Sequence, residues 1–280
     1  MIHPGPKEFI KNPIFISYTS LSDFLKCPRT YYLKNIYRDK NTGFRIQIAS
    51  PYLSLGATVH DSIRWFLDME GQVSKDQLEK KFRNLWLKFR SKKGGFIDDL
   101  QEAEFGKRGL KMLDNFYKNA KQLGKEAPLL NFPKHVLEDN LILMGNIDFV
   151  GEQSNGTLHV LDFKTGTKEK EDSLQLYIYA ILAESNYQKP VSKISYWYLD
   201  KDEFPKEAVL DPLDEKLKWL QEKALEIKKA IEKNEWICKD PGKCRDCRDY
   251  QAILDGYGEY QFTDFKYKKM IYFLPKLDLG

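Results

Sequence analysis

The chain has 280 residues, of which 42% are hydrophobic and 14% are aromatic. This content is ample for a buried core and excludes intrinsic disorder as a general description. The net charge of +4 permits nucleic-acid binding only if positive charge is concentrated on one surface. The longest apolar runs are far shorter than the ~20 residues that a membrane helix needs, which excludes a membrane span.

Two further features bear on the compartment and on metal binding. The first 13 residues contain prolines but no apolar run of the kind found in secretory signals, so we expect a cytoplasmic protein. A chain of this length does not need disulfides, and a reducing compartment disfavours them. Three of the four cysteines lie within ten residues, at Cys238, Cys244 and Cys247, whereas Cys27 lies near the other end. This distribution is typical of four ligands of one metal centre.

The first half of the chain is predicted to be helical. Residues 20–37 have apolar side chains at helical spacing, with Ser20 or Ser22 as a candidate N-cap. Pro28 interrupts this pattern and predicts two short helices or a kink. Further helices are predicted over 56–69, 76–90 and 98–123. This long helical block is rich in lysine and in aromatic residues.

The second half is predicted to alternate between strands and helices. Alternating patterns predict strands over 135–140, 141–151 and 157–164, and Asn155-Gly156 indicates a hairpin before the last of them. The remaining predictions are a helix over 172–184, a strand over 194–200 and a helix over 211–233. The residues beyond the cysteine cluster have no clear pattern. This order predicts an α/β fold with a mixed sheet.

Two neighbouring strands carry charged side chains at their ends. In the second strand, Asp162 and Lys164 project to one face while Phe163 packs on the other, and a hairpin would bring Asp148 of the first strand alongside. Two converging carboxylates suit a hard cation such as Mg²⁺. A lysine beside them could activate a water or stabilise charge that develops on a phosphate. A surface salt bridge between Asp162 and Lys164 is the alternative interpretation.

Five motifs in a fixed order accompany these strands. They are Ser20-Leu21-Ser22 with the following Cys27-Pro28-Arg29, Gly56 to His60, Gly145 to Asp148, Asp162 to Gly166, and Gln175 to Tyr179. Together they resemble the RecB-like branch of the PD-(D/E)XK nuclease superfamily, which includes the iron–sulfur exonucleases of DNA repair and CRISPR adaptation. The resemblance covers about residues 17–250.

The resemblance implies an α/β fold with a restriction-endonuclease-like core, a mixed central sheet flanked by helices, a helical insertion and an iron–sulfur clasp. It implies one nuclease domain over 1–280. Its segments would be the N-terminal helices (17–60), the helical insertion (61–134), the catalytic core (135–233), and the cysteine cluster with a tail (234–280).

The resemblance also implies roles for particular residues. The implied ligands of one or two Mg²⁺ or Mn²⁺ ions are His60, Asp148, Asp162 and the main-chain carbonyl of Phe163. Lys164 would orient or deprotonate the attacking water. Gln175 and Tyr179 lie one helical turn apart and would position DNA and the catalytic strand. The alternatives are ordinary packing roles for His60, Gln175 and Tyr179, and a turn hydrogen bond for Asp148.

In related iron–sulfur nucleases, one N-terminal and three C-terminal cysteines hold a [4Fe–4S] cluster, and Cys27 with the three later cysteines reproduces that division. Cys244 and Cys247 have the spacing of a metal-binding pair. The family usually has its last cysteine after this pair, near Ile253 here, whereas this chain has Cys238 before it. Zinc in a four-cysteine site is therefore the alternative. We predict a structural role for the site.

The helical block is the candidate DNA-binding surface. Basic side chains can follow a phosphate backbone, and aromatic rings can stack on unpaired bases. A solvated lysine face and an aromatic core are the alternative. The candidate DNA-binding residues are Arg29, Lys81, Arg83, Trp86, Phe89 and Arg90.

The function that the resemblance implies is metal-dependent exonucleolytic cleavage of single-stranded DNA. A helicase or a CRISPR integration protein is the implied partner, and no membrane is expected to take part. The alternatives are a non-catalytic DNA-binding or assembly subunit and a nuclease whose cysteines bind zinc.

Overall fold

The computed structural model describes residues 12–169, 172–241 and 243–275. The elements of the first half are β1 (Ile14–Ile16), α1 (Tyr18–Lys26), α2 (Pro28–Tyr31), β2 (Arg45–Ile48), α3 (Pro51–Asp68), α4 (Lys75–Trp86), α5 (Asp99–Asn119) and β3 (Lys125–Glu126). Those of the second half are β4 (Lys134–Glu138), β5 (Leu141–Met144), β6 (Phe149–Glu152), β7 (Leu158–Lys164), α6 (Leu174–Tyr187), β8 (Val191–Tyr198), β9 (Lys206–Ala208), α7 (Leu213–Lys233), α8 (Arg245–Leu254), β10 (Glu259–Asp264) and β11 (Lys269–Phe273).

A five-stranded mixed sheet, in the order β3-β6-β7-β8-β9, forms the centre of the fold. β7 and β8 pair in parallel, whereas the other neighbours pair antiparallel. Nearly every residue of β7 and most of β8 are buried, as expected for strands covered on both faces. The molecule is therefore a mixed α/β protein, which confirms the predicted fold class.

Alternate residues of the central sheet enter two different apolar cores. Leu158 and Val160 of β7 pack with α6 and α7 on one side. Leu161 and Phe163 of the same strand pack with α3, α4 and α5 on the other side. The helical block thus covers one face of the sheet, and it holds α3 against the end of β7, where the charged side chains lie.

Several predicted elements differ from the observed ones. The predicted strand 141–151 is two strands, because β5 pairs with β1 and β4 whereas β6 pairs with β7, and residues 145–148 carry the chain between the two sheets. α3 begins at Pro51, five residues earlier than predicted, because proline is well tolerated in the first helical turn. The predicted break at Pro28 and the hairpin at Asn155-Gly156 are confirmed.

The chain's C-terminal region has more regular structure than the sequence pattern indicated. α8 follows the cysteines, and β10 and β11 form a hairpin. β11 also pairs in parallel with β2, so a third sheet joins the two ends of the chain. No helix within the described ranges is both long and apolar enough to cross a membrane.

Candidate active site and cysteine cluster

The β6–β7 hairpin brings the two aspartates to one end of the central sheet. Phe149 of β6 pairs with Leu161 of β7, which places Asp148 beside the end of β7. The Oδ2 atom of Asp148 accepts a hydrogen bond from the main-chain N–H of Phe163 at 3.0 Å. The predicted approach of Asp148 to the end of β7 is therefore confirmed.

Asp162 and Lys164 project to the opposite face from Phe163, as their spacing predicted. The Phe163 ring packs against Phe116 and Trp197, with centroids 5.6 and 5.9 Å away. The ammonium of Lys164 lies 2.5 Å from Asp162 Oδ2. Because Asp162 is only 2% exposed, this ion pair is buried and is not the surface salt bridge of the alternative interpretation.

Gln175 of α6 joins both members of this ion pair. Its Nε2 atom donates to Asp162 Oδ1 at 2.7 Å, and its Oε1 atom accepts from Lys164 Nζ at 2.6 Å. Gln175 Nε2 also donates to the hydroxyl of Tyr179, one turn later in α6, at 3.0 Å. The amide therefore fixes the orientation of the carboxylate and the ammonium with respect to each other.

His60 approaches the same end of β7 from α3. Its Nδ1 atom lies 3.1 Å from Asp148 Oδ1. Gly145 permits close packing beside the site, because a Cβ atom there would lie 3.2 Å from the Tyr179 ring. A Cβ atom on Gly56 would lie 3.4 Å from Thr165 Oγ1, which is an ordinary van der Waals distance.

The charges in the site strongly shift the pKa values of its groups. Burial, and then the neighbouring Asp148 carboxylate, raise the pKa of Asp162 to about 6, although Lys164 opposes this. Burial by itself would lower the pKa of His60, but Asp148 outweighs it and raises that pKa to about 9. Burial and Asp162 hold the pKa of Tyr179 well above its usual range. At neutral pH, Asp162 is thus ionised, His60 is protonated and Tyr179 is a neutral hydroxyl.

The donor set fits a hard divalent cation in its chemistry. Asp148 and Asp162 offer carboxylate oxygens and His60 offers a ring nitrogen, which are ligands that Mg²⁺ or Mn²⁺ accepts. Asp162 Oδ2 is buried and is paired with the Lys164 ammonium, and a second lone pair of this oxygen remains available for a cation. The present contacts of these ligands are with each other and with Lys164.

Two residues near the site were not assigned to it from the sequence, although Arg108 belongs to the basic side chains of the helical block. Tyr196 lies opposite Asp162 on β8, and its ring centroid is 4.8 Å from Lys164 Nζ. Arg108 of α5 donates to the main-chain carbonyl of Thr165 at 3.3 Å and to Asp200 at 3.0 Å. The parallel pairing of β7 and β8 could have indicated Tyr196. No spacing in the sequence indicates Arg108, because its partners are distant in the chain.

The four cysteines form the second cluster. Cys27 lies between α1 and α2, Cys238 follows α7, Cys244 precedes α8, and Cys247 lies one turn into α8. All four are free thiols, and their sulfur atoms lie within 4.8 Å of one another. The four side chains therefore converge closely enough to hold one metal ion. The sulfur of Cys238 therefore joins the others despite its unusual order in the sequence.

Polar contacts surround this cluster and tie α8 to the N-terminal helices. Lys34 lies 3.0 Å from Asp23 and 3.1 Å from Asp246, so it bridges the two regions. Arg29 donates to Gln251 at 2.8 Å. The guanidinium predicted to contact DNA therefore has a partner within the protein.

The other candidate DNA-binding residues have varied surroundings. Trp86 stacks on Phe82 at 5.4 Å and packs against Phe96, so its ring belongs to the helical core. The remaining contacts are those of Lys81 with the Trp65 ring, Arg83 with Glu79, and Arg90 with Glu102. Phe89 is half-buried. Contact with DNA stays a prediction for all six residues.

Comparison with known proteins identifies the family. Residues 16–253 match the model of the PD-(D/E)XK nuclease superfamily. The chain therefore belongs to this superfamily, whose members are nucleases that hydrolyse phosphodiester bonds with the help of divalent metals. No curated protein matches the chain significantly.

Proposed function

We propose that the protein is a Mg²⁺- or Mn²⁺-dependent deoxyribonuclease that degrades single-stranded DNA from an end. The observation that carries the proposal is the hydrogen-bonded set formed by Asp162, Lys164 and Gln175, with Asp148 bonded to the main chain of the same strand. A non-catalytic DNA-binding subunit would not need this arrangement, and burial of two carboxylates and a lysine is costly unless it serves a function.

The proposed metal would be held by His60, Asp148 and Asp162, together with the main-chain carbonyl of Phe163. When bound, it would neutralise charge on the phosphate and stabilise the leaving oxygen. The protein's own contribution is orientation. Gln175 accepts from Lys164 and so restricts where its remaining N–H groups can point, which lets the ammonium hold the attacking water or a phosphate oxygen.

Tyr179 and Gln175 support this chemistry from α6. Because the Tyr179 hydroxyl stays neutral, it adds no charge beside the carboxylates, and it accepts a hydrogen bond from Gln175. The aromatic ring of Tyr196 faces the Lys164 ammonium and favours its charged form. The lysine therefore acts in this proposal as a cation that positions the water and the phosphate.

Digestion of end-labelled linear and circular single-stranded DNA tests the activity. With Mg²⁺ or Mn²⁺, we expect the linear strand to be degraded progressively and the circle to survive. Asp162→Asn and Lys164→Met should abolish cleavage, and cooperative thermal unfolding should show that each variant is folded, although the loss of one partner of a buried ion pair lowers its stability. Full activity in both purified variants would overturn the proposed mechanism. Cleavage of the circle would show an endonuclease instead of an exonuclease.

We infer that the four cysteines hold a structural [4Fe–4S] cluster, as the resemblance to iron–sulfur nucleases implies. Zinc is the second candidate. The short distances between the cysteine sulfur atoms favour zinc. Zn–S bonds of ~2.3 Å give a tetrahedron with edges of about 3.8 Å. The Cys27–Cys247 and Cys244–Cys247 sulfur distances are 3.5 and 3.2 Å, and no pair exceeds 4.8 Å.

Metal analysis of anaerobically purified protein separates these candidates. Iron and acid-labile sulfide with broad visible absorption would support the [4Fe–4S] cluster. A colourless protein with one zinc per chain would establish the zinc site.

We also propose a partner and a location. The resemblance implies a helicase or a CRISPR integration protein as the partner, and the sequence predicts a cytoplasmic location. Co-purification of the tagged protein from its native host would test the partner.

A further inference from the structure

Two neighbouring cavities lie outside the site described above. They are bounded by the N-terminal half of α3, the segment 87–94, and the sheet of β2, β10 and β11, and their volumes are about 280 and 370 Å³. The residues common to both are Lys88, Lys93, Phe262 and Asp264. We call these two cavities together the hairpin cleft, because the β10–β11 hairpin forms one wall.

Ion pairs hold this hairpin against the helical block. Lys88 Nζ lies 3.1 Å from Asp264 Oδ2, and Asp264 Oδ1 accepts from the main-chain N–H of Tyr267 at 3.2 Å. Lys92 lies 2.7 Å from Glu259 at the other end of β10. These ion pairs connect the wall of the cleft to the helical block, and the tip of the hairpin presents Tyr267 at its edge.

The cleft combines positive charge with aromatic rings. Lys93 is exposed and makes no ion pair among the described residues. Lys269 is half-buried and donates to Gln47 at 2.6 Å, and burial together with Arg45 lowers its pKa. A phosphate in the cleft would relieve this crowding of cations. The lining contains three lysines against two aspartates, Asp61 and the Lys88-paired Asp264, so it keeps a net positive charge.

Aromatic surface lies beside these cations. Phe89 and Phe262 line the cleft and are half-buried, and the side chain of Tyr267 is about half exposed at its edge. Rings that are partly accessible and next to lysines are the arrangement that binds unpaired bases and their phosphates together.

The cleft and the catalytic site lie on neighbouring faces of the same helix, α3. Leu53, Ala57 and Asp61 of α3 line the cleft at four-residue spacing. Gly56 and His60 form the adjacent stripe of the same helix, which faces the end of β7. With a helical rise of 1.5 Å per residue, Ala57 and His60 are separated by about 4.5 Å along the axis. The cleft and the catalytic site therefore lie on adjacent faces of α3, at about the same height along the helix.

We propose that the hairpin cleft binds single-stranded DNA, with Lys93 and Lys269 on the phosphates and an unpaired base stacked on Tyr267. This proposal rests on the proposed function, because it concerns the strand that the catalytic site would cleave. It assigns a binding role to the C-terminal hairpin, whereas the sequence patterns indicated only the helical block.

Fluorescence anisotropy of labelled oligothymidylate, measured in EDTA to prevent cleavage, tests the cleft. The test variants are Lys93→Glu and Tyr267→Ala, both at exposed side chains. The matched control is Lys121→Glu, which makes the same charge change beyond the far end of α5. Glu102, near the start of α5, accepts a hydrogen bond from the main-chain N–H of Ser91 beside the cleft. Lys121 lies about 28 Å from Glu102 along the helix axis and is therefore far from the cleft.

We expect each test variant to raise the Kd about tenfold, and Lys93→Glu to reduce the dependence of log K on log salt by about 0.7. Lys121→Glu should match the wild type more closely. If Lys93→Glu and Tyr267→Ala both bind like Lys121→Glu, or if the wild type does not bind the oligonucleotide, the cleft assignment is overturned.

A parallel cleavage assay with Mn²⁺ distinguishes this result from failure of the proposed function. If the wild type cleaves no DNA but both variants bind DNA more weakly than it does, the cleft assignment stands and the nuclease proposal is overturned. If the wild type is an active nuclease and both variants keep its DNA affinity and KM, the nuclease proposal stands and the cleft assignment is overturned.

Discussion

His60 Nδ1 lies 3.1 Å from Asp148 Oδ1, so two proposed metal ligands form an ion pair with each other. The pair overcomes the effect of burial and raises the pKa of His60 from 6.5 to about 9. Its stabilising contribution is therefore complete below pH 6.5 and is lost as the pH rises through 9. A cation that takes both ligands must displace the His60 proton.

Metal binding should accordingly depend on pH. Between pH 7 and 9, where Asp162 is already ionised, the apparent affinity for Mn²⁺ should increase about tenfold per pH unit, because each binding event releases one proton from His60. Calorimetric titration in buffers of different ionisation enthalpy measures that proton. His60→Gln should bind Mn²⁺ more weakly and without proton release. A wild-type protein that releases no proton at pH 7 would contradict His60 as a ligand.

Gln175 should affect turnover more than substrate binding. Gln175→Leu removes the acceptor of Lys164 and the donor to Asp162, so kcat should fall about a hundredfold or more while KM changes little. Gln221→Leu is the matched control, because Gln221 donates a hydrogen bond to the main-chain carbonyl of Leu137, away from the site. Steady-state kinetics on a single-stranded substrate measures both. Equal kcat values for the two variants would show that the Gln175 bridge has no catalytic importance.

The sequence predicted the end of β7 that carries Asp162 and Lys164 well, because the motifs that indicate it consist of residues close together in the chain. The Asn155-Gly156 turn and the two-residue spacing of Asp162 and Lys164 are properties of adjacent residues. The predicted strand 141–151 was wrong because Gly145 lies at a change of sheets, which strand periodicity alone does not reveal. The third sheet was missed because β2 and β11 are more than 200 residues apart and their pairing is not encoded in either strand alone.

The cysteine cluster should stabilise the joining of the chain's ends. Cys27→Ser should lower the thermal midpoint and speed amide exchange in α8, because Cys27 is the N-terminal partner of three later thiols. A chelator strong enough to strip the metal should bring the wild type to the same midpoint and leave the variant unchanged. If the chelator destabilises both proteins equally, the cysteines do not hold the metal that it removes.

Two glycines of α5 should respond oppositely to alanine. A Cβ atom on Gly109 would lie 2.4 Å from the buried Phe82 ring and 3.1 Å from Leu55, so Gly109→Ala should destabilise the protein by about 1–3 kcal/mol through overpacking. At Gly106 the nearest atom would be 3.9 Å away, on Trp86, so Gly106→Ala should gain up to about 1 kcal/mol of helix propensity. Urea denaturation of both variants measures the difference. Similar stabilities would show that the α4–α5 contact is looser than described.

His159 should make the protein sensitive to mild acid. It is buried in β7, its Nε2 atom lies 2.9 Å from Ser195 Oγ, and burial followed by Lys193 lowers its pKa to about 4. As the pH falls below 6.5, the unfolded chain takes up a proton that the folded protein does not, so stability decreases until about pH 4.

Between pH 7 and 5, this difference amounts to about 2 kcal/mol at 1.36 kcal/mol per pH unit. His159→Asn is expected to be less stable than the wild type at pH 7 but to lose less stability on acidification. Urea denaturation at pH 7 and pH 5 measures both proteins, and the difference between their pH slopes isolates His159 from the other titrating groups. Identical slopes would mean that His159 becomes protonated in the folded state, which its burial and the neighbouring Lys193 oppose.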